Sequence, residues 1–188
     1  MKIISKKFYK RNTMIVAQEL LGKLLVHKLP IGKMISRIVE TEAYCQDDPG
    51  SHAYCGKTKR NIPMFGEPGC AYVYFCYGNS WMFNIVTEVK DVAGAVLIRA
   101  VEPIKNIELM KTFRNVEMKN LTNGPGKLCQ AMNIDKRYNQ QKIFSGNLTV
   151  QDDNYSCFKI EKSRRIGLKK GVELLARFFI KNNQYVSK

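Results

Sequence analysis

RIVETEAY, at residues 37–44, combines the alternating pattern of a β-strand with two carboxylates and an aromatic ring. Because successive side chains of a strand point to opposite faces, Glu40, Glu42 and Tyr44 are expected to share one face. Carboxylates are seldom buried without a partner or a function. The stretch therefore marks a candidate site, and a solvated strand face is the alternative that these residues alone leave open.

The segments before this strand predict a helix and a β-hairpin. Asn12 or Thr13 can cap a short helix, and Gly22 is placed to end it. Residues 24–29 have the pattern of a strand, and a turn with proline and glycine joins them to a strand at residues 34–44. The stretch with the two carboxylates is thus the second strand of a hairpin.

The segments after it predict a second hairpin and a further strand. Aromatic side chains alternate through residues 71–77 and 80–88, on either side of a Gly-Asn turn at residues 78–79. Residues 95–101 are apolar except for Arg99. An arginine within such a strand needs an anionic partner.

Two helices are predicted in the second half of the chain. One is expected to begin at Pro103 and to run to about residue 114. The other begins in TNGPGK, at residues 122–127, where Asn123 can cap and Pro125 suits the first turn. Such a helix start can bind phosphate through its backbone N–H groups, and an ordinary capped helix is the alternative.

The whole pattern predicts one α+β domain. Short strands are expected at residues 148–150 and 176–180, on either side of a basic turn at residues 163–167. No internal repeat or linker divides residues 1–188, and residues 1–11 are expected to be a loosely ordered basic N-terminus. The predicted fold is a single domain with a largely antiparallel, curved β-sheet, flanking helices and a protruding β-hairpin.

The charge of the chain indicates a polyanionic partner. Lys and Arg number 31 and Asp and Glu number 16, which gives a formal net charge of +15. Such a field attracts nucleic acid, because neutralised phosphates release their counterions. An anionic membrane surface is the competing partner. The positive charge extends from Lys2 to Lys188 without a polybasic tail, which favours a folded face that contacts a nucleic-acid backbone.

The cysteines are expected to be reduced thiols in a cytosolic protein. No Cys-x-x-Cys pair, secretory signal or apolar run of membrane-spanning length occurs in the sequence. Cys45, His52, Cys55 and Cys70 could in principle form a zinc site. Since the ligand pairs that zinc sites usually contain are missing, no metal is predicted.

The remaining candidate groups are typical of a site that holds a nucleobase. They are Glu42, Arg99, Tyr44, Tyr74, Tyr77 and, in a long loop at residues 45–63, His52. No nucleotide-phosphate loop, dinucleotide fingerprint or two-metal carboxylate cluster is present. Enzymes that act on a base unstack it and hold it between aromatic faces, so a carboxylate beside several aromatic rings on a basic protein indicates this chemistry.

Four motifs resemble those of the alkyladenine (3-methyladenine) DNA glycosylase family. They are RIVETEAY at residues 37–44, PGCAYVYFCYG at 68–78 with Asn84 and Ile85 after it, VLIRAVEP at 96–103 and NGPGKLCQA at 123–131. The motifs keep the order of the family and cover roughly residues 20–180. The resemblance implies a role for each matching residue.

In this family pattern, Glu42 would be the general base that activates the attacking water. Arg99 would help to hold that water and the carboxylate. Tyr44, His52 and Tyr74 would form an aromatic box around the flipped base. On the residues alone, Glu40 is an alternative base because it shares the strand face, and Arg99 could instead pair with Glu102 or Asp91.

The resemblance also implies a residue that discriminates between bases and a residue that intercalates into the duplex. Asn84 would line the pocket and discriminate against guanine through its exocyclic amino group. Tyr77, at the hairpin tip, would intercalate into the duplex and fill the gap left by the base. The chain departs from the family at Asn79 and Ser80, which replace bulkier residues, and in a spacing from Glu42 to His52 that is one residue shorter.

The implied activity is base-excision repair by a monofunctional DNA glycosylase. The enzyme would flip an alkylated or deaminated purine, hydrolyse its N-glycosidic bond and leave an abasic site. Direct attack by water needs no cofactor. The expected partner is double-stranded DNA that contains damaged purines, and neither a membrane nor an obligate protein partner is expected. The protein is expected to be a monomer in the cytoplasm, associated with the nucleoid if it is bacterial. The alternatives are a non-catalytic binder of damaged nucleic acid and an RNA-directed N-glycosidase.

Overall fold

The computed structural model describes residues 1–76 and 78–187. Within them, a largely antiparallel sheet of nine strands packs against four short helices, which confirms the predicted α+β fold. Strands β1 to β9 are Lys2–Ile3, Leu24–Leu29, Gly32–Cys45, Ala71–Cys76, Ser80–Val86, Gly94–Lys105, Leu148–Asp152, Ile160–Ser163 and Arg177–Ile180. Helices α1 to α4 are Lys6–Tyr9, Thr13–Glu19, Ile107–Phe113 and Pro125–Ala131.

Strand β3 lies at the centre of the sheet. The strand order is β1-β7-β2-β3-β6-β5-β4, and β9 pairs with both β3 and β8. One edge of β3 pairs with β2 and then, at residues 40–42, with β9, while β6 covers the other edge. The register of β3 against β6 shifts on both sides of Glu40. Irregularities of this kind re-aim side chains and occur often beside functional sites.

The predicted helix and hairpins are confirmed. Asn12 caps α2, because its side-chain oxygen accepts hydrogen bonds from the backbone N–H groups of Met14 and Ile15. Gly22 follows the helix with φ +81°, a conformation that favours glycine. Strands β2 and β3 form the first hairpin, and β4 and β5 form the second.

The predicted start of the third helix, at Pro103, is wrong. Strand β6 continues through Pro103 to Lys105, and α3 begins at Ile107. Pro103 pairs with Ser36 beside a register shift, the kind of position where a sheet tolerates a residue without an N–H donor. Asn106, with φ 64°, then turns the chain into the helix.

Two smaller expectations concern the N-terminus and the start of α4. Residues 1–11 contain β1, which pairs with β7, and Tyr9, whose side chain is fully buried, while their loose order stays a prediction. The N-cap of α4 is Gly124 and not Asn123, whose side-chain oxygen accepts a hydrogen bond from Lys127 Nζ at 2.8 Å. No helix among the described residues is long and apolar enough to cross a membrane.

A small second core fixes the long loop against the sheet. Met64 and Phe65, in a 3-10 turn at Ile62–Phe65, are buried with Tyr72 and Ala95. Burying two side chains of this size contributes about 1.5–3 kcal/mol each. The loop is therefore held where its residues can contribute to a site on the sheet.

Candidate active site

A cavity of about 320 Å³ opens on the sheet beside the long loop. It is lined by Tyr44, Gly50, His52, Met64, Tyr72, Tyr74, Cys76, Met82, Asn84, Ala95, Leu97, Arg99, Pro125, Ile166, Gly167 and Leu168. A mostly apolar cavity with a few converging polar groups is typical of a small-molecule site. Strands β3, β4, β5 and β6 supply its floor and walls, and the loops supply its rim.

Three of the lining rings pack against one another. The His52 and Tyr74 rings meet edge to face with centroids 4.8 Å apart, and Tyr72 tilts against Tyr74 at 5.1 Å. His52 Nδ1 and the Tyr72 hydroxyl are 3.1 Å apart, within hydrogen-bond distance. Tyr72 was not among the predicted site residues, although its period-two relation to Tyr74 is a signal that could have found it.

His52 is exposed at the mouth of the cavity and packs its inner side against the tyrosines. Burial of that side and the nearby charge of Arg60 lower the pKa of His52 from its ordinary value. Burial also raises the pKa of Tyr72 to about 12. At neutral pH these two rings are therefore uncharged.

Glu42 is fully buried behind the floor of the cavity. Its Oε2 accepts hydrogen bonds from the Tyr44 hydroxyl at 2.8 Å and from Arg99 Nη1 at 3.2 Å. Its Oε1 accepts from the backbone N–H of Ile166 at 2.9 Å. All three donor residues line the cavity, and together they compensate the buried negative charge.

Glu40 is also fully buried, and apart from Arg99 its partners, Arg177 and Ser187, do not line the cavity. Arg177 Nε donates to its Oε1 at 2.6 Å, and the N–H and hydroxyl of Ser187 donate to its two oxygens at 2.7 Å each. Arg99 Nε is 3.3 Å from Glu40 Oε1, so Arg99 joins Glu40 to Glu42. The alternative pairing of Arg99 with Glu102 or Asp91 is not found.

Arg165 makes a contact that the sequence did not reveal. It belongs to the predicted basic turn, yet it is buried and forms a two-pronged ion pair with Asp48. It also donates to the carbonyl oxygens of Ala43 and Gly171, and its guanidinium carbon lies 4.6 Å from the centre of the Tyr44 ring. The side chain thus joins the long loop, β3 and the loop that carries Ile166.

Asn84 and the motif at residues 123–131 also border the cavity. Asn84 is buried and its Nδ2 donates to the Tyr72 carbonyl at 3.0 Å. A Cβ at Gly126 would lie 2.7 Å from Ser80 Cβ, so glycine lets α4 approach the start of β5. Gly126 therefore has a packing role in this seven-residue helix. No contact among the described residues specifically supports the binding of phosphate at the start of α4.

The predicted intercalating residue Tyr77 lies outside the described residues. Among the residues that are described, no group of three or more His, Cys, Asp or Glu side chains is placed to hold a metal ion. The structure brings together Glu42, Arg99, Tyr44, His52, Tyr74 and Asn84 around one cavity.

The chain is similar to known proteins over nearly its whole length. A family model described as "Methylpurine-DNA glycosylase (MPG)" matches residues 7–184. Relatives from Carboxydothermus hydrogenoformans and Clostridium tetani are 45% and 44% identical, with 99% and 98% of both chains covered. One from Salinibacter ruber is 42% identical over 100% of this chain and 97% of its own. All three carry the name "Putative 3-methyladenine DNA glycosylase".

The cavity of aromatic rings over a buried carboxylate is consistent with the similarity of the chain to these relatives. The relatives carry one name and match nearly the full length of the chain. The chain belongs to the methylpurine-DNA glycosylase family.

Proposed function

We propose that this protein removes alkylated or deaminated purines from double-stranded DNA by hydrolysing the N-glycosidic bond, which leaves an abasic site. The observation that carries the proposal is the buried Glu42 carboxylate, held by donors from three elements at the floor of an aromatic cavity. The net charge of +15 supports a DNA substrate, because cationic surfaces draw the phosphate backbone.

The damaged base enters the cavity by flipping out of the duplex. A flipped base is held by stacking between aromatic side chains and by contacts to its edge. Tyr44, His52 and Tyr74 provide the stacking surfaces, and the buried amide of Asn84 meets the purine edge and disfavours guanine. Tyr77 fills the gap that the base leaves in the helix.

Glu42 then acts as the general base. A carboxylate has about four acceptor positions, and three on Glu42 are taken by Tyr44, Arg99 and Ile166. The remaining position, on Oε1, accepts a proton from water as the water oxygen attacks C1′ of the sugar. The C1′–N bond breaks, its electron pair leaves with the base, and the negative Glu42 stabilises the cationic character of the sugar.

The charge of the leaving base decides how easily it departs. Alkylation at N3 or N7 makes the purine cationic, so it departs as a neutral molecule. A deaminated purine is neutral, so it departs less easily, as an anion that takes up a proton from the solvent. Arg99 holds Glu42 in place for both reactions and interacts with the attacking water.

Base release from duplex oligonucleotides tests the proposal. Single-turnover reactions with one 7-methylguanine or one hypoxanthine per duplex are expected to yield free base and an alkali-labile abasic site. A matched duplex without a lesion is the control, and an RNA strand with the same lesion tests the RNA-directed alternative. Tight binding without release of any base would favour a non-catalytic damage-binding protein instead.

A further inference from the structure

Arg60 lies beside the cavity, in a loop that hydrogen bonds of its neighbour Asn61 hold in place. The neighbouring Asn61 is only 1% exposed, and its Nδ2 donates to the carbonyl oxygens of His52 and Gly56 at 2.7 and 2.8 Å. Its Oδ1 accepts from the N–H of Thr58 at 2.6 Å. These bonds close the loop on itself, so the backbone that carries Arg60 has a defined position next to His52.

The Arg60 side chain is directed to the aromatic wall. Its guanidinium carbon lies 5.2 Å from the centre of the Tyr74 ring, within the range of a cation–π contact. Tyr74 lines the cavity, whereas Arg60 is exposed and lies outside the lining. Burial of His52 is the larger cause of its lowered pKa, and the positive charge of Arg60 is the second cause. One exposed cation thus acts on two of the rings that hold the base.

The buried and half-buried charged side chains in and behind the cavity floor balance one another. The buried and half-buried set comprises three carboxylates and three guanidinium groups: Glu40, Glu42, Asp48, Arg99, Arg165 and Arg177. Arg60, in contrast, has no carboxylate within 4.0 Å in the described part of the chain. Its positive charge at the aromatic wall is therefore not compensated by an ion pair among the described residues.

We infer that Arg60 is a specificity-determining residue that shifts the enzyme towards neutral damaged purines and away from cationic ones. A cationic purine stacked on Tyr74 interacts with a ring whose electrons already attract a guanidinium, and the two positive charges repel. A neutral purine stacks on the same ring without this repulsion. The inference rests on the proposed function and concerns which lesions the same site prefers.

Competition between two lesions measures this preference. The probes are duplexes with a single 7-methylguanine, which is cationic, or a single hypoxanthine, which is neutral. The measured quantity is the ratio of their kcat/KM values for the wild type and for Arg60→Gln. Removal of the guanidinium is expected to raise the ratio of 7-methylguanine to hypoxanthine about two- to fivefold, the range that an exposed cation–π contact represents.

Two matched variants separate this effect from general DNA binding. Lys59→Gln removes the same charge from the neighbouring exposed residue, so it is expected to weaken DNA binding without changing the ratio. Arg60→Lys keeps the charge and is expected to keep the ratio close to that of the wild type. An unchanged ratio in Arg60→Gln, or an equal change in Lys59→Gln, would overturn the inference.

The experiment distinguishes a failure of this inference from a failure of the proposed function. If the wild-type protein releases neither base, the proposed glycosylase activity fails. If it releases both bases and the ratio does not respond to Arg60→Gln, only the role of Arg60 fails.

Discussion

The guanidinium of Arg165 stacks against the ring of Tyr44, with its carbon 4.6 Å from the ring centre. The next residue, Ile166, donates its backbone N–H to Glu42. The proposed stacking wall and the proposed base are therefore positioned by the same short segment. Asp48, from the long loop, holds that segment by its ion pair with Arg165.

Breaking this buried ion pair is expected to destabilise the protein strongly. In Arg165→Met, the Asp48 carboxylate would remain buried without its partner, which costs about 3–5 kcal/mol in the free energy of unfolding. Urea unfolding measures the loss. The double variant Arg165→Met with Asp48→Leu removes both charges and is expected to be more stable than Arg165→Met alone. A loss below about 1 kcal/mol in the single variant would contradict a buried pair.

Glu42→Gln is expected to abolish most base release while lesion binding persists. The amide keeps the shape of the side chain but cannot take a proton from water, and loss of a general base lowers the rate by about 10²- to 10⁴-fold. Single-turnover release of hypoxanthine measures the rate, and a gel-shift titration measures binding. Full activity in Glu42→Gln would exclude this residue as the base.

Glu40→Gln is expected to act on stability more than on chemistry. The substitution leaves Arg177 and Arg99 with an unbalanced positive charge in a buried cluster, so the free energy of unfolding falls by about 3–5 kcal/mol. Glu40→Gln combined with Arg177→Gln restores the charge balance and is expected to be less destabilised than Glu40→Gln.

Base release by the charge-balanced double variant separates the two carboxylates. The rate is expected to stay within about tenfold of the wild type, since donors from Arg177, Ser187 and Arg99 already occupy the Glu40 oxygens. A loss as large as that of Glu42→Gln, in a double variant that is folded by circular dichroism, would assign the proton transfer to Glu40.

Much of the sheet could be predicted because its strands carry their own local signals. Alternating side chains and turn residues located the two hairpins, and Asn12 and Gly22 located α2. Strand β8 was missed because its short polar segment has no such pattern. The helix at Pro103 was placed too early because pairing with β3 overrides the local preference of proline for a helix start.

The site residues likewise divide into those that a local sequence pattern indicates and those that it does not. Period two along β3 and β4 indicated Glu42, Tyr44 and Tyr74, whereas the partners from distant loops had no local signal. Arg165 pairs with Asp48 across more than a hundred residues of chain, a contact that only the fold creates. The pairing of Glu40 with Ser187 likewise has no local signal, because 147 positions separate the two residues in the chain.

His27 is expected to make stability depend on pH in the acidic range. The ring is fully buried, with Nδ1 donating to the Met132 carbonyl at 2.6 Å and Nε2 accepting from the Tyr138 hydroxyl at 2.5 Å. Burial lowers the pKa of His27 in the folded state below the ordinary value of 6.5 that the unfolded chain has. The unfolded state therefore binds the proton first as the pH falls.

The sign of the effect follows from this difference. The stabilisation is fully present above pH 6.5 and is lost progressively as the pH falls below that value. Urea midpoints measured from pH 7.5 to 5.0 are expected to decrease for the wild type. His27→Gln is expected to be less stable at pH 7.5 but to show a flatter dependence. His52→Gln is the control, because His52 is partly open to solvent and contributes less. Equal slopes in the wild type and His27→Gln would show that His27 does not bind the additional proton on unfolding.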